Sequence, residues 1–245
     1  MNKDMVGLTS RQTQILKVLI DEYIETAEPI GSEALEKKYN LGVSPATIRN
    51  EMVSLTKSGY LKQPHTSSGR IPTHSAMKFY VDQLMEEKTL SLADEVKAKE
   101  EVWDVKDNID KLLNEATHSL AERIGGLAVV AMEDGDVWHS GHANIFSYPE
   151  FEDIAVCASL FGFIDETEAM MDLFFTRFPI ESPFEVLFGE EMGLRNMPVG
   201  IVAAHFRARN TNGAIGVIGP VRQSYAKLVP TIKYYKDLIE EVLNE

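Results

Sequence analysis

The chain contains a single cysteine, Cys157, among 245 residues. One thiol can build neither a disulfide framework nor a Cys-rich zinc site, and such sparing use fits a reducing compartment. The N-terminus lacks the basic-then-apolar pattern of a secretory signal. Long hydrophobic runs are missing as well. The most apolar stretch, 154–164, is interrupted by Ser159 and is too short to cross a bilayer. There is no internal repeat and no low-complexity tract. These absences lead to the expectation of a soluble cytoplasmic protein. Positive charge is also scarce, 24 Lys and Arg against 38 Asp and Glu, for a net charge of −14.

The scarcity is uneven. Residues 1–75 hold nine basic and eight acidic side chains, whereas 76–245 hold 15 and 30. Within 37–73 the basic residues are Lys37, Lys38, Arg49, Lys57, Lys62 and Arg70, against one acid, Glu51. A local positive patch on an acidic protein can hold phosphates, while the acidic remainder discourages indiscriminate coating of nucleic acid.

The order of elements gives the patch a setting. Thr9 with Gln12 three residues on forms a capping box, and Ile15, Leu16, Leu19, Ile20, Tyr23 and Ile24 give the following helix an apolar face. Pro29 and Gly31 interrupt it, and Ser32 is expected to cap a short second helix. Gly42 supplies a turn. Ser44 and Pro45 then read as N-cap and first position of a third helix, closed by Gly59. Residues 60–64 and 70–72 read as two strands around the polar turn 65–69, a wing, and Thr73 as the cap of a helix to about 88. A long helix is expected over 92–124, with Ala98, Val102, Val105, Ile109, Leu112 and Ala116 in a heptad-like stripe. Beyond Gly126 the pattern becomes a strand at 127–132, a turn at Asp134–Gly135, a strand at 137–143, helix over 150–177, further strands with a turn at 210–213, and a closing helix. The expected fold class is α+β: a winged helix-turn-helix (1–75), a helical linker (76–124) and a second α+β domain with an antiparallel sheet (125–245).

On the third helix Ile48, Met52 and Leu55 share the inner face. The outer face presents Ala46, Asn50, Val53 and Lys57, flanked by Thr47, Arg49 and Ser54. Asn can pair with adenine and Arg with guanine in a major groove, and small apolar groups can meet a thymine methyl. Ser44, Thr47 and the helix start can hold phosphates. In the wing, Lys62, His65, Thr66, Ser67, Ser68 and Arg70 can reach phosphates or an adjacent minor groove. Helix-turn-helix architecture also serves protein contacts, so a solvated polar face stands beside the DNA reading.

The stretch EPIGSEALEKKYNLGVSPATIRNEMVSLTKSGYLKQPHTSSGRIPT (28–73) resembles the N-terminal domain of the heat-inducible transcription repressors of the HrcA type. The similarity continues through KFYVDQLM (78–85), GHANIFSYPEF (141–151), FGEEMG (188–193) and GAIGVIGPVRQSYAKLVPTIKYYKDLIEEVL (213–243), with Arg222 and Tyr225 in its closing pattern. The resemblance implies a dimeric repressor on an inverted-repeat operator upstream of chaperone operons. It also implies a GAF-like second half, and a chaperonin that modulates the active state. On this sequence it places the recognition helix at 44–58 and the wing around 64–72. One departure stands out. Family members carry a longer middle section with an inserted dimerisation module, and here only a few residues separate Val130 from Gly141. A homodimer is still expected, because one short recognition helix offers few contacts and two match an inverted repeat.

Two other readings are weighed against this one. For an enzyme, His139 and His142 could ligate a metal, but their segment reads as a strand running into a loop. Cys157 lies in the apolar AVCASLF and reads as core filler. Gly213, Gly216 and Gly219 lack dinucleotide-loop spacing, and Glu190–Glu191 reads as a solvated loop. Neither enzyme activity nor a cofactor is expected. The other alternative is a regulator whose GAF-like domain senses a small molecule.

Overall fold

The computed structural model describes residues 7–178, 182–208 and 211–244. The chain divides into two compact units, Met1–Glu86 and Glu87–Glu245. The segment expected as a helical linker is therefore shared between them.

In the first unit, helix α1 spans Ser10–Thr26, α2 Ser32–Lys38 and α3 Pro45–Lys57. The Thr9 capping box forms as expected, and α1 ends on Ala27 in the left-handed conformation. Ser32 is not the cap of α2 but its first helical residue, since Gly31 holds the extended cap position without a side-chain bond. Ser44 caps α3, its hydroxyl accepting from the Thr47 amide. Ile15, Leu16, Leu19, Ile20, Leu35, Ile48 and Leu55 are all 1% exposed or less and close one core. At about 25 cal/mol per Å² of apolar surface, that core is the main source of this unit's stability. Strands β1 (Leu61–Lys62) and β2 (Ile71–Pro72) pair antiparallel and are shorter than the sequence pattern suggests. Helix α4 (His74–Phe79), capped by Thr73, runs into a π-helical turn and ends at Leu84 rather than near 88. The Tyr80 hydroxyl donates to Asp21 at 2.6 Å and ties this turn to α1.

In the second unit the expected long helix is two helices, α5 (Leu92–Trp103) and α6 (Ile109–Ile124). The Asn108 side chain accepts from the Lys111 amide, so α6 starts afresh with its own cap instead of continuing the ladder of α5. The contacts of Asp94 with Arg123 and of Glu101 with Ser119 make the pair antiparallel. The heptad-like stripe is divided accordingly. Ala98, Val102, Leu112 and Ala116 are fully buried, Val105 is half-buried in the turn, and Ile109 is 53% exposed.

A five-stranded antiparallel sheet follows, ordered β4-β3-β7-β6-β5. Its strands are β3 (Leu127–Met132), β4 (Val137–Ser140), β5 (Glu185–Phe188), β6 (Val199–Ala208) and β7 (Thr211–Pro220). Strand β4 stops three residues earlier than expected. Gly141 turns at φ 90° and His142 opens a short helix, α7 (His142–Ile145). Of the turn expected at 210–213, Asn210 lies outside the described residues. Asn212 and Gly213 are paired strand residues of β7, and Gly213 leaves room for the Phe206 ring, 2.2 Å from where a Cβ would stand.

The period of two splits the sheet. Leu127, Val129, Ala131, Ile201 and Ile218 face a core with α8 (Ile154–Asp165), α9 (Thr167–Met171) and the π-helical stretch Asp172–Arg177. The alternate residues, such as Val130, Val202, Ile215 and Val217, face α6 and α10 (Tyr225–Leu243). Cys157 is core filler as expected, its thiol directed at the Phe151 carbonyl. The Glu190–Glu191 pair lies in a 3-10 turn, where the Glu191 carboxylate accepts from the Phe188 amide at 3.0 Å.

Candidate nucleic-acid interface

The interface grows from the orientation of α3. Its inner residues Ile48, Met52 and Leu55 are held in the core, which fixes the outer face about the helix axis. That face presents Ala46, Arg49, Asn50 and Lys57 exposed, with Thr47 and Val53 half-buried beside them. The side chains of Arg49, Asn50 and Lys57 form no hydrogen bond or ion pair among the described residues. Polar side chains on a rigid, capped helix that satisfy no intramolecular partner are free to meet another molecule. At the helix start the Ser44 hydroxyl is occupied by the Thr47 amide and stands 3.0 Å from the Thr47 hydroxyl.

The charge of the patch is less than the sequence count suggests. Lys38 is turned back onto α1, where its ammonium meets Glu22 at 2.6 Å and Glu25 at 2.9 Å. The Lys38 bond holds the Glu22 carboxyl below its usual range. Burial, reinforced by Glu22, pushes the Tyr39 phenol up to about 12. Glu51, the acid within 37–73, is likewise drawn away from the outer face. It accepts from Gln12 at 3.1 Å and meets Arg11 at 3.6 Å. The outward charge of the helix is thus that of Arg49 and Lys57.

The wing is built differently. Lys62, His65, Thr66 and Ser67 are exposed at its tip. Ser68, expected to face phosphate, is spent inside the turn: its hydroxyl accepts from the His65 amide and donates to the His65 carbonyl at 2.7 Å. Gln63 donates to the Thr66 and Ser68 carbonyls, both at 2.9 Å, and closes the tip. Arg70 stands just before Ile71, the strand partner of Lys62. Its guanidinium donates to the Thr56 hydroxyl at 3.1 Å, and its backbone exchanges two hydrogen bonds with Ile30. Gly69 permits this approach, because a Cβ there would stand 2.4 Å from the Ile30 carbonyl carbon. Gln63 and Gly69 were missed by reading residue types. The available signal was a glycine and a long amide flanking a turn already rich in Pro and Ser.

The rest of the chain offers little competing chemistry. His139 and His142 lie edge to face with ring centroids 4.7 Å apart, and burial lowers the pKa of His142. Among the described residues no group of three or more His, Cys, Asp or Glu gathers as metal ligands would. No described helix is long and apolar enough to cross a membrane.

Comparison with known proteins decides between a DNA-binding and a protein-binding helix-turn-helix. The model of the HrcA winged helix-turn-helix DNA-binding domain matches residues 7–86, and that of the HrcA protein C-terminal domain matches 51–229. The chain belongs to the HrcA family. The heat-inducible transcription repressor HrcA of Carboxydothermus hydrogenoformans is 26% identical, covering 96% of this chain and 98% of the relative. That alignment runs over 338 positions against a chain of 245 residues, so the relative carries sequence with no counterpart here. The HrcA of Desulforudis audaxviator is 55% identical over 84 residues, 34% of this chain and 24% of that one. The fold matches a crystal structure of a hypothetical protein at 2.2 Å resolution, with a TM-score of 0.76 and 16% identity over 97% of this chain and 99% of that one.

Among HrcA-family motifs, two distant ones meet in this chain. Arg222, from the closing pattern, forms a two-pronged ion pair with Glu150 at 2.5 and 3.0 Å and lies over the Tyr148 ring. Motif residues of the second unit therefore include structural ties, whereas Arg49, Asn50 and Lys57 of α3 point outward.

Proposed function

We propose that this HrcA-family chain represses heat-inducible chaperone genes from the cytoplasm by holding an inverted-repeat operator as a homodimer. The observation that carries this reading is the outer face of α3, where the side chains of Arg49, Asn50 and Lys57 have no partner among the described residues. Ala46, Thr47, Arg49 and Asn50 read base edges in the major groove. Ser44, Lys57, Lys62, His65, Thr66, Ser67, Ser68 and Arg70 position the phosphate backbone. Arg70 does so from its bonded place beside Thr56, and Ser68 chiefly by shaping the wing. Residues 1–75 supply the DNA contacts, 76–124 the helical connection, and 125–245 a GAF-like regulatory and dimerisation part. A chaperonin acts as modulator, and no catalytic step is involved.

Two-fold pairing doubles the contacts of one short helix and matches the symmetry of the site. The test is competition binding at fixed salt, with the inverted repeat upstream of the chaperone genes set against a scrambled duplex. Sedimentation equilibrium of the free and bound protein accompanies it. A preference of about a thousandfold or more is expected, with two chains per duplex. Equal affinity for both duplexes overturns the repressor reading, and a monomer on the operator overturns the dimer.

A further inference from the structure

The second unit carries a cavity of about 300 Å³, walled by residues 88–91 ahead of α5, the end of α6 and the first turns of α10. The Lys88 amide donates to the Ala226 carbonyl at 2.7 Å and fixes the first wall to the last. Several cations of this acidic unit are neutralised by carboxylates, Lys97 by Glu101, Lys99 by Glu241, Arg177 by Asp172, Arg222 by Glu150 and Lys233 by Glu87, while the side chains of Lys111, Arg195 and Arg207 have no such partner among the described residues. Lys88 and Lys227 reach no carboxylate within ion-pair distance among the described residues, and both line this cavity. Among the described residues the Lys227 ammonium donates only to the Arg123 carbonyl, at 2.8 Å, and the Lys88 side chain has no partner. The Thr89 and Ser224 hydroxyls beside them have no hydrogen bond among the described residues. The one carboxylate in the wall, Asp94, is already held by Ser91 at 2.6 Å and Arg123 at 3.3 Å.

We propose that this cavity binds a small phosphate monoester. Two ammonium groups match the charge of about −1.5 to −2 on a phosphate ester at neutral pH, and the hydroxyls supply further donors. Lysine serves phosphate as a point charge, whereas a carboxylate ligand is better served by a guanidinium fork. The fork in this wall, Arg123, is committed to Asp94, Glu101 and Tyr235. The volume exceeds that of a phosphate group and lies at the lower end of small-molecule sites, leaving room for a carbon skeleton against Leu90.

This inference does not depend on DNA binding. The test is calorimetric titration of the full chain in phosphate-free chloride buffer at fixed ionic strength, with ribose 5-phosphate, inorganic phosphate and ribose as probes. One ribose 5-phosphate per chain is expected, with a dissociation constant below about 1 mM. Inorganic phosphate should bind more weakly and ribose not at all. Lys88→Gln, which breaks no structural bond, should weaken binding several-fold, and the double variant with Lys227→Gln about tenfold or more. Arg49→Ala, on the DNA face, should leave it unchanged. Absence of binding at millimolar ribose 5-phosphate overturns the proposal, as does undiminished binding by Lys88→Gln. Loss of binding in Arg49→Ala overturns it by moving the phosphate to α3, and inorganic phosphate binding as tightly as the ester overturns the organic ligand.

Discussion

Helices α3 and α6 look alike as sequence. Each starts at a capping side chain, Ser44 or Asn108, each buries a regular apolar stripe, and each carries polar residues elsewhere around its axis. In the fold they do opposite things with those polar residues. On α6, Arg123 donates to the Tyr235 hydroxyl at 2.7 Å, and that hydroxyl lies 2.5 Å from Ser119. Ser119 donates to Glu101 at 2.6 Å, which accepts in turn from Arg123 at 3.2 Å. The donors and acceptors close a ring within the second unit. On α3, Arg49, Asn50 and Lys57 have no partner among the described residues. Polar chemistry that is already satisfied is scaffolding, and polar chemistry held rigid but unsatisfied is available for recognition.

Substitutions should separate the two helices cleanly. Arg123→Ala carries the largest expected effect, because its side chain is only 12% exposed and its loss leaves Glu101 and the Tyr235 hydroxyl short of a partner. Breaking such a nearly buried pair should cost about 3 kcal/mol. Both tryptophans, Trp103 and Trp138, belong to the second unit, so a fluorescence-monitored melt reads the loss directly. An unchanged midpoint would mean that the ring is idle. Arg49→Ala and Asn50→Ala should do the reverse. Each is expected to remove about 1–3 kcal/mol of discrimination between operator and scrambled duplex, while the melt stays put. Retained discrimination in both variants would show that α3 is not the reading helix.

The wing yields a smaller contrast. Lys62→Ala should lower the slope of log affinity against log salt by about one. Gln63→Ala should leave the slope alone but weaken binding to every duplex by about 1 kcal/mol, through the two hydrogen bonds lost from the tip. A salt titration of the two variants side by side distinguishes a charge contact from a shaping contact.

The smallest expected effect is in pH. Burial lowers the pKa of His205 and His142 below the ordinary 6.5. Their neutral forms are favoured in the fold, so the stability they contribute is present above about pH 6.5 and is lost as the pH falls from there toward their folded values. In the first unit Glu22, lowered by Lys38, keeps its contribution until the pH drops below its ordinary 4.5. Tryptophan melts at pH 8 and 5.5 should therefore shift slightly downward with acid, and His205→Asn should flatten part of that shift. A rise in the midpoint between those pH values would reverse the assigned direction.

Much of this contrast was legible beforehand, and the rest was hidden for definite reasons. Caps at Thr9, Ser44 and Thr73 are local, each needing only a side chain and an amide three residues on, so sequence displays them. The outer face of α3 follows from a period of 3.6. The break between α5 and α6 is invisible to periodicity, because Ala98, Val102, Leu112 and Ala116 keep helical spacing through a turn that stops the backbone ladder. The neutralisation of Lys38 was equally hidden. Its partners Glu22 and Glu25 lie on another helix, and a charge count along the chain cannot pair them. The bonded surroundings of Ser68 and Arg70 were hidden in one shared way. A hydroxyl or guanidinium has the same composition whether it faces solvent or its own backbone.

The small space at Gly69 bears on how the protein would meet a duplex. Because no side chain intervenes, the base of the wing is latched by two backbone hydrogen bonds to Ile30, at the threshold of α2. Fixing a free residue costs about 1–2 kcal/mol in chain entropy, and here that cost is met during folding rather than at encounter. Helix-turn-helix and wing base approach DNA as one body, and the hydrogen bonds of Gln63 and Ser68 hold the tip in shape. The latch converts what would be a slow, selective ordering of a loop into a preset claw, so its effect should appear in the rate of association as well as in its strength.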